Sequence, residues 1–141
     1  MGQDKKIQTV LLSPLVSETD FRTEFCEDHV HVQVGPYYKI NSEQRKEFWD
    51  NILTTCEVHN TQRILIQGYR PKAELSTTDV IEAGRQASAK PHVWIAFCLD
   101  KLFPADQREL FEAVVASRLV RAKFFTEHEQ AIQWLRNNAP A

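Results

Sequence analysis

The chain has 141 residues, of which 43% are apolar and 26% charged, and its formal net charge is −2. One domain with one sizeable core fits that length and composition. Lys and Arg are interleaved with acids rather than gathered into a basic patch, and no stretch approaches a membrane span, so nucleic-acid binding and integral membrane association are not expected. Cys26, Cys56 and Cys98 are an odd number with no close pair, each within an apolar pattern. They read as small buried core residues in a reducing cytosol, not as a disulfide or metal set.

The chain opens Met1-Gly2-Gln3-Asp4-Lys5-Lys6. A myristoylation signal requires Ser or Thr where Lys6 stands. Lys5 and Lys6 before Ile7–Val16 imitate a signal peptide, but Gln8, Ser13 and Pro14 interrupt it and no small-x-small site follows. Residues 1–20 are read as an N-terminal arm of a cytoplasmic protein, and 21–138 as its single domain.

Phe21, Thr23 and Phe25 alternate with Arg22 and Glu24. After Glu27-Asp28, Val30, Val32 and Val34 alternate with His31 and Gln33. Two alternating runs split by a short turn predict a β-hairpin, stopped by Gly35-Pro36. Asn41 and Gln44 form a capping pair for a helix whose Phe48, Trp49, Ile52, Leu53 and Cys56 recur at helical spacing, with His59 at its end. Arg63–Tyr69 is a short apolar strand. Ser76 caps a second helix, with Leu75 placed to staple onto Val80. Gly84 in its middle weakens it by about 1 kcal/mol against Ala, and a close helix–sheet contact would account for the choice.

His92–Leu99 is a continuous apolar strand, so both faces require cover. Ala105–Leu119 is a helix with Leu110, Phe111, Val114 and Val115 on its core stripe. Val120–Phe125 is the last strand. Thr126 with Glu129 forms a capping box for the final helix, whose Ala131, Ile132 and Leu135 face the core. Strands alternating with helices imply an α/β fold with a mostly parallel sheet of about five strands, an antiparallel edge hairpin and about four helices.

Two stretches carry a resemblance: Val30–Val34 followed by Asn41–Trp49, and Phe124-Phe125-Thr126 with Glu129-Gln130-Ala131-Ile132-Gln133-Trp134-Leu135. Over residues 21–136 the chain resembles the SpoIIAA-like family, relatives of the STAS and Sec14-type lipid-binding domains. The resemblance implies a βα superhelix with parallel strands in chain order. Helices would then gather on one side of the sheet, yet Trp94, Ala96 and Cys98 are as apolar as Val93, Ile95 and Phe97. The N-terminal arm with part of a helix, or a dimer partner, is the expected cover for the second face. Regulatory members of the family carry Asp-Ser-Ser-Gly-Leu at the start of the second helix. Here that place reads Ser76-Thr77-Thr78-Asp79-Val80, without the preceding Asp or the Gly-Leu. Ser76, Thr77 and Thr78 form a candidate phospho-acceptor region, with plain helix capping as the simpler reading.

Ligands of open α/β sheets favour the carboxyl ends of the strands. That edge collects Gly68, Tyr69, Arg70 and Lys72 after one strand and Asp100 and Lys101 after the next, a candidate ligand-binding edge. His29 and His31 share a strand face. A zinc site needs a third ligand, with only Asp28 or His92 to offer, so a solvent-facing pair is the plainer reading. His92 opens a strand, and His128 sits in an exposed first turn. Tyr37-Tyr38 is either an exposed pair for a partner or packs over the sheet edge. No nucleophile elbow and no phosphate loop are present. No cofactor and no metal are expected. The reading is a non-enzymatic binding or regulatory module, homodimeric, acting on a protein partner. The first alternative is a carrier or sensor of a small apolar or lipid-like anionic ligand, held between helices and sheet with Arg70 or Lys72 at its head group. The second is an enzyme using Tyr69, Arg70 and Asp100.

Overall fold

The computed structural model describes residues 19–38, 42–71 and 74–140. The order is β1 (Phe21–Cys26), β2 (His29–Val34), α1 (Ser42–His59), β3 (Arg63–Gly68), α2 (Thr77–Ala87), β4 (Trp94–Leu99), α3 (Ala105–Ala116), β5 (Arg121–Phe125) and α4 (His128–Asn138). The expected α/β fold is present: a five-stranded mixed sheet with its strands in chain order, and four helices among the described residues. β1 and β2 are antiparallel, from Phe21 opposite Val34 to Cys26 opposite His29. The other neighbouring pairs are parallel. Glu27 takes a positive φ of 55° to close the hairpin, as a tight turn demands. No described helix is long and apolar enough to cross a membrane.

Alternation sorts the strands' side chains onto two faces. Val30, Val32, Ile64, Ile66 and Ile95 join the larger core with Phe48, Trp49, Ile52, Leu53 and Cys56 of α1. The α1 stripe is buried as its spacing predicts; its proposed cap at Asn41 lies outside the described residues. α2 begins with a capping box: Asp79 N–H donates to Ser76 Oγ (3.1 Å), and Ser76 N–H donates to the Asp79 carboxylate (3.0 Å). The Gly84 contact is with a helix and not with the sheet. A Cβ there would stand 2.7 Å from Cγ1 of Val114 on α3, so the glycine lets two helices touch.

The second face carries Leu65, Ala96 and Cys98. Neither an arm nor a partner is needed to cover them, because α4 of the same chain lies there. Its Ala131, Ile132 and Leu135 are buried against the sheet, and Trp134 packs on Trp94 and Phe125 with ring centroids 5.5 and 5.8 Å apart. Burying each large aliphatic side chain of this kind is worth about 1.5–3 kcal/mol.

Several boundaries differ from expectation; β3 ends at Gly68 and β5 begins at Arg121, each one residue inside the expected span. α3 stops at Ala116, because Leu119 adopts a φ of 67° and turns out to 60% exposure. β4 starts at Trp94 and not at His92, whose φ of 73° places it in the turn. α4 starts one residue later than a Thr126 cap requires. Glu127 occupies the N-cap with no side-chain hydrogen bond, and Thr126 stands outside the first turn.

Candidate functional site

α1, α2 and α3 all enter at the carboxyl edge of the parallel strands, as βα connections require. At that edge they do not close on the sheet. A cavity of about 530 Å³ remains between the three helices and the ends of β2, β3 and β4. Its wall is aromatic. Phe97 stacks on Phe124 at 4.7 Å and meets Phe111 edge-on at 5.4 Å; Phe103 and Trp49 extend the surface. Phe97, Phe103, Phe124 and Leu75 are only half-buried, although they belong to the core side of the sheet, because they look into this space. Gly68 makes the rim compact: a Cβ there would sit 3.0 Å from the Val34 carbonyl oxygen.

Polar groups at the wall are few. Arg45, Gln107 and Arg108 reach it, with the tyrosines Tyr37, Tyr38 and Tyr69. Tyr38 packs on Phe21 at the sheet edge with centroids 5.3 Å apart, whereas Tyr37 is 59% exposed, so the pair divides between the two expectations, one ring packed and one open. Burial, with Asp100 nearby, raises the Tyr69 phenol above its ordinary value and keeps it a neutral donor. The described lining contains no Ser, Cys, His, Asp or Glu, the groups from which nucleophilic and general acid–base sites are commonly built.

The sequence-predicted edge divides. Gly68 and Tyr69 do line the cavity. Arg70 and Asp100 meet each other instead of a ligand. Asp100 accepts a hydrogen bond from the Arg70 backbone N–H (2.7 Å), and Arg70 Nη1 donates to the Leu102 carbonyl (2.7 Å), with the guanidinium 5.9 Å over the Phe103 ring. The pair clamps the β3–α2 and β4–α3 loops together. Lys101 is exposed and outside the lining, and Lys72 lies outside the described residues. Ser76, Thr77 and Thr78 are exposed, and the Ser76 hydroxyl is engaged as the helix cap.

Arg45, Arg108 and the ring wall escaped the sequence reading. A signal existed. Arg45 precedes Phe48 by three residues and Arg108 precedes Phe111 by three, so each arginine shares a helix face with a core aromatic one turn later.

A second, smaller cleft of about 340 Å³ opens between the hairpin and α4, lined in part by Cys26, His29, His31 and His128. The solvent-facing reading of the histidine pair fails here, since α4 passes beside it: His29 is only 7% exposed and His31 hydrogen-bonds Gln67. His128 is half-buried rather than exposed. Burial pushes the His31 imidazole below its ordinary value, and His29 and His128 act in the same direction. Burial likewise lowers His128. No group of three side chains suited to a metal ion occurs among the described residues. Cys26 is half-buried at this cleft rather than in the core, while burial pushes the Cys56 thiol up to about 12. Below the cleft, Asp28 accepts from Arg63 Nη1 (2.9 Å) and Arg136 Nε (3.0 Å), joining the hairpin, β3 and α4.

Comparison of the chain with protein-family models, with curated proteins and with solved structures finds no match. The functional reading therefore rests on the geometry of the chain itself.

Proposed function

We propose that this chain is a binding module that holds a small, largely apolar molecule at the carboxyl edge of its sheet. The observation that carries the reading is the aromatic cavity of about 530 Å³. Pockets for small molecules fall in the range of roughly 300–1,000 Å³, predominantly apolar with a few polar groups, and the carboxyl ends of parallel strands are where α/β sheets place them. An apolar guest would cover ring surface that the core leaves half-exposed. The protein–protein reading drew its support from an uncovered sheet face, and α4 occupies that face.

The test is titration with phenylnaphthylamine, a neutral apolar fluorophore, while following its emission and the quenching of Trp49. Ala83 of α2 faces the cavity and is the place to fill it. The expected result is saturable one-to-one binding that Ala83→Leu weakens severely. Absence of saturable binding, or equal binding by Ala83→Leu, would overturn the reading.

A further inference from the structure

We infer that the guest is an anionic single-chain amphiphile, a fatty carboxylate being the simplest, with its head group met by a lining arginine, Arg45 or Arg108. This rests on the cavity reading above and adds the charge and shape of the ligand.

The described lining carries two guanidinium groups and no carboxylate. Both arginines are oriented through Nε alone. Arg45 Nε donates to Gln86 Oε1 (2.9 Å), and Arg108 Nε donates to the Phe103 carbonyl (2.9 Å). Their Nη groups make no hydrogen bond or ion pair among the described residues. Asp79 and Glu112 feel these cations electrostatically, yet neither pairs with them and neither lines the cavity. Arginine cannot shed its charge in a protein, and both side chains stand half-buried at the lining with Nη groups that an anion can reach. A carboxylate suits the two-pronged Nη edge, and the hydrogen bonds are charge-assisted. The rest of the wall is ring and aliphatic surface, which calls for an alkyl body. Volume argues for one chain, since about 530 Å³ is the scale of a small molecule and not of a two-tailed lipid.

Decanoate and decanol differ at the head and share the chain, so competition of each against phenylnaphthylamine near neutral pH isolates the head-group contribution. Decanoate is expected to compete about tenfold or more better than decanol, the scale of a charge-assisted hydrogen bond. In the double variant Arg45→Gln, Arg108→Gln the two should become nearly equal, with decanol binding retained; the retained decanol binding shows that the cavity still forms. Arg45→Lys with Arg108→Lys should restore part of the preference. Added salt should erode decanoate binding to the unaltered protein while sparing decanol, which keeps the test alive if the glutamine variant does not fold. Decanol binding as well as decanoate, or a preference that survives in the glutamine variant, overturns the inference and leaves the cavity reading standing. Failure of phenylnaphthylamine itself to bind overturns both.

Discussion

The two faces of one sheet are packed to different ends. Under α4 the fully buried contact residues are small or slender: Ala96, Cys98 and Ala131 allow the helix to lie close, Leu135 is 1% exposed, and the rings Trp94, Phe125 and Trp134 stay at the half-buried margin. Under α1, α2 and α3 the residues are large rings, among them Trp49, Phe97, Phe111 and Phe124, in edge-on and stacked pairs. Rings that lean on each other prop the helices off the strand ends and leave space between. The same sheet thus carries a closed interface on one side and an open one on the other, decided by the size of the side chains at its centre and not by hydrophobicity.

The largest expected contrast comes from truncation. Leu135→Ala removes packing where nothing can collapse into the gap and should cost about 2–5 kcal/mol. Leu75→Ala, at the half-open wall, should cost about 1 kcal/mol, since much of that side chain gains little from burial. Urea unfolding of both variants checks this, and equal losses would abolish the distinction between the faces. Enlargement should give the reverse sign of lesson. Ala131→Leu overpacks the α4 side and should cost about 1–3 kcal/mol. Ala83→Leu, entering the cavity, should shift stability by no more than about 0.5 kcal/mol while reducing phenylnaphthylamine binding. A large loss from Ala83→Leu would mean that the space is already filled.

The smallest effect belongs to the histidines beside α4. His31 and His128 are held below their ordinary value of 6.5, chiefly by burial. The unfolded chain therefore binds their protons more readily, so stability is full above that value and declines as pH falls beneath it. The groups facing them are His29, Glu24, Glu129 and Arg136. Asp28 adds nothing in that window. Burial works against ionisation of its carboxyl, but hydrogen bonds from His29 and Arg136 outweigh burial and hold it at about 2, so its contribution fades only in stronger acid. Urea midpoints measured from neutral to mildly acidic pH should fall, and His128→Asn should flatten part of the slope. A slope unchanged by His128→Asn would assign the sensitivity elsewhere.

The strand pattern was legible because alternation in β2 and the unbroken apolar run of β4 depend only on local burial. The cavity was not, because an empty volume is what three helices fail to fill and no single stretch encodes it. Arg45 and Arg108 looked like ordinary helix-surface charges until their spacing to Phe48 and Phe111 was set against the sheet. The histidines were misplaced for a related reason: whether His29 and His31 meet water depends on α4, which arrives about a hundred positions later. Arg70 and Asp100 stand at the predicted edge, but the sequence does not reveal that each satisfies the other's loop. Loop polar groups often serve the backbone before any ligand.

Asp28 and Arg136 are separated by 108 positions, yet they hydrogen-bond. In a chain emerging from the ribosome, the hairpin and β3 are available to pair long before α4 exists. Until residues 128–138 have left the tunnel, the strip formed by Leu65, Ala96 and Cys98 has no lid. Any sheet that pairs before then presents a bare, apolar face, a form prone to stick to other chains. The hairpin's acidic turn also waits until then for its last cation, so closure of the final helix buries the strip and completes the Asp28 cluster in a single late event.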